Sequence, residues 1–463
     1  MNATHLNKLT RKLMRRKNTP GLAMAITQND QTIHAQGYGC RNLKNQQPMT
    51  ADTLMGIGSI TKSFTAFAVL ILEERGKLSL DDSVAKYLPQ APFKSRPAIT
   101  IKHLLSHSSG IPALDAGALS FPYTFGEFKH IYPASTREDF MAHLADAEDF
   151  IIHQPGQAFF YNNDMYTCLG FIIEQLSGCS FIDFVQQEIL TPLQMHRAVL
   201  TAQAYQADPD NNRMTGYLPD TKAGAGVVME SAMPMDGHLH APGGLSVSMN
   251  EMLHYAQCLL NRGVYKGQRL LTEASIDKLF TGLISMPYGW SEDPQYGLGW
   301  SIDQPSAETP YTVIHHSGGM GTSIAQLLLV PELNLGIVAT ENGPTNIAPL
   351  VARSALALAI DQAPEDLLED YKIISAIDAI CGTYKTAYNL YSLTISQQGG
   401  ILKLDGEIDD GSISFPLLAR DIEKLDFAPY SLRSDNKAKI QFMRDDQGRV
   451  AYVSYDRYLY RRQ

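Results

Sequence analysis

The chain has 463 residues, 44% hydrophobic and 19% charged, a composition typical of a globular protein with more than one domain. Its formal net charge of −10 argues against nucleic acid as a main partner, which would be bound through clustered positive charge. The five scattered cysteines form no Cys-x-x-Cys pair, so we expect reduced thiols. The first residues lack the apolar segment of a signal peptide, so we expect a cytoplasmic location. No apolar run reaches the length of a membrane span, so we expect none.

The first predicted elements are a helix and a hairpin. Basic residues between Lys8 and Lys17 fall on an amphipathic helical pattern. Residues 21–27 and 31–38 alternate around Asn29-Asp30, which predicts a β-hairpin. From residue 59 to about residue 290 the pattern indicates mainly helices and long loops.

Ser59 and Lys62 form a Ser-x-x-Lys pair at the start of a strongly apolar segment. The run from Ser63 to Leu72 lacks Gly and Pro and is apolar on every face, as in a buried helix. Ser59 is therefore predicted in the first turn of a central helix, with Lys62 on the same face. A serine hydroxyl needs a base to become a nucleophile, and a buried lysine can act as one.

The same Ser-x-x-Lys pattern begins at Ser83, Ser275 and Ser434, but the surroundings differ. These three lie in a polar stretch, an ordinary amphipathic segment and a charged loop, respectively. The alternative for Ser59 is a helix cap followed by a surface lysine. The helix after Ser59 has almost no polar face for such a lysine, which favours the catalytic interpretation.

Tyr161 follows the turn sequence Pro-Gly-Gln at 155–157 and precedes an apolar run, so it is predicted at a loop-to-helix junction. Its phenol could pass a proton to a leaving group, and Asn163 could hydrogen-bond substrate. The alternative is a buried tyrosine next to an asparagine helix cap.

His316-Ser317-Gly318 ends a β-branched run and is predicted as a strand along one wall of the cleft. His316 and Gly318 are candidate substrate-binding residues, and the backbone N–H groups of Ser59 and Gly319 are candidates for an oxyanion hole. A rival Lys-Ala-Gly sequence at residues 222–224 lies in a stretch too rich in glycine for a strand.

Further strands are predicted at 311–316, 324–331 and 335–341, and a helix at 348–360. Strands from both ends of residues 1–360 would form one antiparallel sheet flanked by helices, with a helical region inserted between them.

Residues 361–370 are acidic and are predicted as a linker. Residues 371–463 show short alternating runs, which predict a small all-β antiparallel barrel.

The three motifs, in this order, resemble the serine β-lactamase and penicillin-binding protein superfamily, nearest its class C and esterase/D-aminopeptidase branch. Phrases at 100–110, 242–246 and 296–300 support the resemblance, which covers about residues 5–360. It implies a β-lactamase/transpeptidase-like fold with Ser59 as nucleophile, Lys62 as base and Tyr161 as second acid/base. Residues 371–463 resemble the lipocalin-like C-terminal domain of some relatives.

One position departs from the pattern of many β-lactamases and transpeptidases, which have Lys where this chain has His316. Histidine is mostly neutral at pH 7, so it would hold a substrate carboxylate less firmly. This disfavours a β-lactamase or a D-Ala-D-Ala enzyme. It suits peptidases and esterases of the same superfamily.

The resulting hypotheses differ in class. The first is a serine peptidase on short peptides, with D-residue peptides among its candidate substrates; the second is a carboxylesterase or acyltransferase; the third is a non-catalytic assembly protein. We expect a small-molecule or short-peptide substrate, a possible homo-oligomer and no cofactor. No metal is expected, because His103 and His107 lack a third ligand and are interpreted as structural.

Overall fold

The computed structural model describes residues 1–90, 92–96, 98–114, 136–220, 228–235, 237–398, 400–408, 411–430 and 439–463. Ser434 and the Lys-Ala-Gly sequence at 222–224 lie outside the described residues. The chain divides into two compact units, residues 1–360 and residues 361–463. Each unit is described by itself.

A nine-stranded antiparallel sheet organises the first unit, in the order β10-β11-β12-β13-β14-β15-β1-β2-β3. The N-terminal strand β1 lies between β15 and β2, with Ala25 opposite Val338 and Ala35. The expectation that strands from both ends of this unit share one sheet is confirmed. The described strands of this unit are β1 (Gly21–Gln28), β2 (Gln31–Asn42), β3 (Gln47–Pro48), β4 (Met55–Gly56), β5 (Gly216–Pro219), β6 (Val228–Ser231), β7 (Ser246–Val247), β8 (Val264–Tyr265), β9 (Gln268–Arg269), β10 (Ile284–Ser285), β11 (Gln295–Tyr296), β12 (Ser301–Asp303), β13 (Val313–Gly319), β14 (Ile324–Val330) and β15 (Leu335–Glu341).

Helices occupy much of the chain between β4 and β10, and others pack on the sheet. In the central helix α2, all residues from Thr61 to Leu72 are buried, as its uniformly apolar sequence predicts. The described helices of this unit are α1 (Ala3–Lys17), α2 (Thr61–Glu74), α3 (Ile101–Leu105), α4 (Arg137–Ala145), α5 (Asn163–Ser177), α6 (Phe181–Val185), α7 (Ala202–Gln206), α8 (His240–Gly243), α9 (Met249–Leu260), α10 (Glu273–Leu279) and α11 (Ala348–Ala359).

The second unit begins with two helices, α12 (Pro364–Leu367) and α13 (Glu369–Ile380), so the acidic segment predicted as a linker is partly helical. Eight antiparallel strands follow in the order β20-β19-β18-β17-β16-β23-β22-β21 and form a nearly closed barrel, which confirms the expected fold class. The strands are β16 (Gly382–Lys385), β17 (Ser392–Gln398), β18 (Ile401–Ile408), β19 (Gly411–Asp421), β20 (Asp426–Pro429), β21 (Ile440–Arg444), β22 (Val450–Tyr455) and β23 (Tyr458–Arg462).

The described part of the chain contains no single helix long and apolar enough to cross a membrane. One pair of helical segments bent by 78°, Asn163–Ser177 with Phe181–Leu190, passes the same test by length and composition only.

Candidate functional site

Ser59 lies in a short 3₁₀ turn, Gly58–Ile60, that leads directly into α2. Gly58 has a φ of 52°, a left-handed conformation that a side chain would strain, and this turns the chain sharply before Ser59. The Ser59 side chain is partly exposed, whereas Lys62 is completely buried in the first turn of α2. The predicted pair at the start of a central buried helix is therefore present.

Lys62 lies among hydrogen-bonding oxygens of Ser59, Asn163 and Pro242. Its Nζ lies 3.1 Å from Ser59 Oγ, 2.7 Å from Asn163 Oδ1 and 2.8 Å from the Pro242 carbonyl oxygen. The amide and carbonyl oxygens can only accept hydrogen bonds, so each takes an N–H from the amine. A neutral lysine has two N–H groups, and once both are used its lone pair points to the third neighbour, the Ser59 hydroxyl. The same three oxygens can also accept hydrogen bonds from the protonated, ammonium form of Lys62.

Tyr161 and Asn163 flank the cap of α5. Asn162 caps this helix, and its side-chain oxygen accepts hydrogen bonds from the Asp164 and Met165 N–H groups at 2.8 and 3.3 Å. Tyr161, at the predicted loop-to-helix junction, has its ring centroid 4.7 Å from Lys62 Nζ. The Asn163 side-chain oxygen is directed at Lys62 rather than left open to the cleft.

His316 lies on β13 and is 4% exposed. Its Nδ1 is 2.5 Å from the Ser317 carbonyl oxygen, which can only accept, so Nδ1 carries the hydrogen. Burial, reinforced by the charge of Lys62, lowers the His316 pKa to about 3 and keeps the ring neutral. Nε2 therefore accepts a hydrogen bond from the Tyr296 hydroxyl, at 2.9 Å. Both ring nitrogens are occupied by the protein.

The end of β13 packs directly against the Ser59 turn. A Cβ at Gly318 would clash with the Ile57 carbonyl oxygen and lie 2.8 Å from the Ser59 nitrogen. The next residue, Gly319, has room, since a Cβ there would meet nothing nearer than 3.9 Å. The two backbone segments with the candidate oxyanion-hole N–H groups are thus brought into contact.

These residues surround a cleft of 280 Å³. Three side chains of its lining, Met286, Tyr288 and Ser301, were not predicted from the sequence, and Tyr296 was identified only as part of a family phrase. That phrase, Tyr-Gly-Leu-Gly-Trp at 296–300, was the available signal. The lining residues are Ser59, Tyr161, Met286, Tyr288, Tyr296, Ser301, His316, Ser317, Gly318 and Gly319.

The two histidines that the sequence analysis interpreted as structural both make internal hydrogen bonds. His103 Nδ1 accepts from the Thr100 backbone N–H at 3.1 Å, in the capping box of α3. His107 is fully buried, and its Nδ1 accepts from the Asn162 backbone N–H at 3.1 Å. His107 thereby ties the loop after α3 to the start of α5.

Comparison with known proteins gives two family matches. Residues 6–362 match the family described as Beta-lactamase, and residues 364–461 match the one described as Pab87 octamerisation domain. The solved structure of the octameric penicillin-binding protein homologue from Pyrococcus abyssi is 29% identical, with a TM-score of 0.88 over 99% of this chain and 100% of that chain.

Two further relatives match less closely. Penicillin-binding protein 4* of Bacillus subtilis (strain 168) is 24% identical over 403 residues, which is 85% of this chain and 84% of that protein. A class C beta-lactamase is 22% identical, with a TM-score of 0.60 over 76% of this chain and 95% of that chain, and it shares the fold.

Proposed function

This chain belongs to the beta-lactamase family, and on that premise we propose that it is a serine hydrolase that forms an acyl-enzyme on Ser59. The observation that carries the proposal is the Ser59–Lys62 pair. The two side-chain atoms are 3.1 Å apart, the lysine is fully buried, and oxygens of Asn163 and Pro242 can accept both N–H groups of the neutral amine, which leaves its lone pair for the serine hydroxyl. This arrangement suits proton transfer from hydroxyl to amine.

In the acylation step, Ser59 Oγ attacks the substrate carbonyl carbon and its proton passes to Lys62 Nζ. The negative charge that develops on the carbonyl oxygen is stabilised by the backbone N–H groups of Ser59 and Gly319. When the tetrahedral intermediate collapses, Tyr161 passes a proton to the leaving group, and the Lys62 ammonium restores that proton to Tyr161. A water molecule then attacks the acyl-enzyme along the reverse proton path and releases the acid.

The proposed substrates are short peptides, including peptides with D-residues, whose groups next to the reacting carbonyl are uncharged. Neutral His316 offers no charge to a carboxylate, and among the residues that the structure describes, no acidic or cationic side chain lines the cleft. The same feature favours carboxylesters as a second candidate class, because they need only the serine, the base and the oxyanion hole. For both substrate classes, Asn163 positions Lys62 by accepting a hydrogen bond from it. The edge of the His316 ring and the backbone of Gly318 contact the bound substrate.

A fluorophosphonate probe tests the nucleophile. Intact-mass and peptide mass spectrometry should find one adduct, on Ser59, that Ser59→Ala abolishes. Ser83→Ala is the matched control, because it removes the serine of another Ser-x-x-Lys sequence and should leave labelling unchanged. Absence of any adduct would favour the non-catalytic assembly protein, and an adduct confined to another serine would refute the assignment.

The proton-handling pair is tested by substitution. Lys62→Ala should lower kcat on the order of 10³-fold and Tyr161→Phe on the order of 10²-fold, on whichever ester or peptide amide the wild type hydrolyses. Lys86→Ala, at the exposed lysine of the Ser83 sequence, is the control, and its kcat should equal that of the wild type. Near-native turnover by the Lys62 variant would exclude it as the base.

For the second unit we propose a role in assembly, with an octamer as the species formed. The match of residues 364–461 to an octamerisation domain supports this, as does the octameric relative that aligns over 99% of the chain. A homo-oligomer also agrees with the exposed apolar side chains of the barrel, among them Tyr388 and Leu459, which an interface between copies would bury.

A further inference from the structure

One wall of the cleft is aromatic and comes from a loop between β10 and β11. Met286 and Tyr288 of this loop line the cleft, and Tyr288 is 57% exposed although it is a large ring. The Phe159 ring packs edge-on against Tyr288 with centroids 6.1 Å apart, and it packs at a tilt of 55° against Tyr296 with centroids 5.5 Å apart. An exposed ring that is backed by partly buried and buried rings at the edge of a cleft forms a surface that an apolar or aromatic group can cover.

This loop is fixed to the sheet through one buried carboxylate, Asp303 on β12, which is 3% exposed. One oxygen of Asp303 accepts hydrogen bonds from the Trp290 N–H at 3.0 Å, the Ser291 N–H at 2.9 Å and the Ser291 hydroxyl at 2.8 Å. The other oxygen lies 2.7 Å from His315 Nε2. Burial alone would raise the Asp303 pKa, but the hydrogen bonds from His315 and Ser291 outweigh it, so the pKa is lowered.

Ring stacking holds the same loop from the side. The Trp290 ring stacks on His315 at a centroid distance of 3.9 Å and an angle of 10°, and the Arg353 guanidinium lies 5.3 Å from the Trp290 centroid. The backbone of Gly289 packs closely against Pro294 and Asp303. A Cβ at Gly289 would overlap Pro294 and lie 2.9 Å from Asp303 Oδ1. His315 is the neighbour of His316 on β13, so the side chains that fix the loop and those that face the reaction lie on opposite faces of one strand.

We infer that Met286, Tyr288 and Phe159 form a binding subsite for an uncharged apolar or aromatic group of the substrate, next to the bond attacked by Ser59. Asp303 is the positioning residue of this subsite, because it fixes the loop that carries Met286 and Tyr288. The inference rests on the proposed function and adds to it the class of side chain that the substrate presents.

Paired substrates test the subsite. Wild-type protein should hydrolyse the methyl ester of N-acetylphenylalanine, in at least one enantiomer, with a higher kcat/KM than the matching alanine ester, and the aspartate analogue least well. Tyr288→Ala should reduce the Phe/Ala ratio of kcat/KM on the order of fivefold, as expected for the loss of one aromatic contact. The change should lie mainly in KM for the phenylalanine ester, so that KM rises more for this ester than for the alanine ester. Tyr430→Ala, an exposed tyrosine of the second unit, is the matched control.

Asp303→Asn tests positioning, since a purely structural loss would lower turnover of both esters alike. The expected result is a larger rise in KM for the phenylalanine ester than for the alanine ester. Ser291→Ala, which removes one of the hydrogen bonds to Asp303, should give a smaller shift in the same direction. An unchanged Phe/Ala ratio in Tyr288→Ala, or a wild-type preference for the aspartate ester, would overturn the inference.

A binding measurement separates this inference from the proposed function. In a Ser59→Ala background, calorimetry should detect tighter binding of N-acetylphenylalaninamide than of N-acetylalaninamide, and Tyr288→Ala should remove the difference. Failure of phosphonate labelling and of all ester turnover would refute the proposed function, and calorimetry would still decide the subsite. Labelling and turnover with equal binding of the two amides would refute the subsite alone.

Discussion

The ring of His316, the residue where the resemblance led us to expect a lysine, is engaged on both sides. Its Nδ1–H donates to the Ser317 carbonyl oxygen and its Nε2 accepts from Tyr296. A substrate carboxylate would therefore meet neither a charge nor a vacant N–H on this ring. The sequence could show a histidine here, but not its tautomer, because Tyr296 is on another strand and reaches it only in the folded sheet.

The first prediction concerns substrate charge. Wild-type protein should hydrolyse benzylpenicillin far more slowly than its best neutral ester or peptide, because a charge-assisted hydrogen bond to the carboxylate is missing. His316→Lys should shift preference toward substrates with a free C-terminal carboxylate, measured as the ratio of kcat/KM for matched acid and amide substrates. Penicillin turnover that rivals the best neutral substrate in the wild type would contradict this prediction.

The second prediction concerns acid stability. The His316 pKa is about 3 in the folded protein, against an ordinary value of 6.5. The unfolded chain thus binds more protons between these values, so stability is complete above about pH 6.5 and falls as the pH drops below it. The maximal slope is about 1.4 kcal/mol per pH unit for one proton. His316→Gln keeps a donor and an acceptor but does not titrate.

The measurement is urea unfolding at pH 5, 6, 7 and 8, at one protein concentration. The wild-type free energy of unfolding should decline more steeply than that of His316→Gln below pH 6.5, and the two should run parallel above it. Burial, and after it the charge of Lys62, lowers the His107 pKa well below 6.5, and His316 contributes least to that shift. His107 therefore adds a decline of the same sign to both proteins, and the difference between the two curves reports mainly on His316. Parallel curves of unfolding free energy against pH over the whole range would show that protonation of His316 does not destabilise the folded protein.

Among the elements, those with a local signal were predictable and those defined by a distant partner were not. The apolar run after Ser59 identified the buried helix α2, and alternation around Asn29-Asp30 identified the hairpin of β1 and β2. No local pattern indicates that Asp303 binds the loop at Trp290 and Ser291, since these contacts depend on the pairing of β11, β12 and β13. For the same reason Met286 and Tyr288 were missed as cleft residues.

The third prediction concerns the contact between β13 and the Ser59 turn. Gly318→Ala should reduce activity at least on the order of 10²-fold and lower the free energy of unfolding by about 1–3 kcal/mol, because its methyl group would overlap the Ile57 carbonyl. Gly319→Ala is the matched control for stability, since its methyl group has room and its backbone N–H is retained. Thermal unfolding of both variants provides the test. Equal stability of the two would show that the strand can withdraw from the turn without cost.

At the scale of the whole molecule, the second unit presents apolar side chains that its own core does not use. Tyr388 is 100% exposed, Leu390 70% and Leu459 54%. Tyr388 also has a φ of 62°, an uncommon left-handed conformation for a bulky residue. Alternating sequence sufficed to predict the barrel, but not which outward side chains would meet another copy, because that depends on a surface outside the chain.

The fourth prediction is the assembly state. Light scattering of the purified protein should give a mass about eight times the 51.1 kDa of one chain. Tyr388→Asp combined with Leu459→Asp should yield smaller species with an unchanged far-UV circular dichroism spectrum, because buried unpaired charges oppose association. Lys385→Glu, a charge change on β16, is the control for added negative charge. A wild-type monomer would contradict the assembly proposal.

The contact between the Ser59 turn and Gly318 also determines when the site can form during synthesis of the chain. A ribosome releases Ser59, Lys62 and Tyr161 long before it reaches β13, β14 and β15. Until those strands emerge, β1 lacks its neighbour β15 and the serine turn lacks the glycine backbone that packs against it. If the proposed function holds, the nascent polypeptide carries Ser59 in an unfinished site, and hydrolysis can begin only when the sheet closes near the end of synthesis of the first unit.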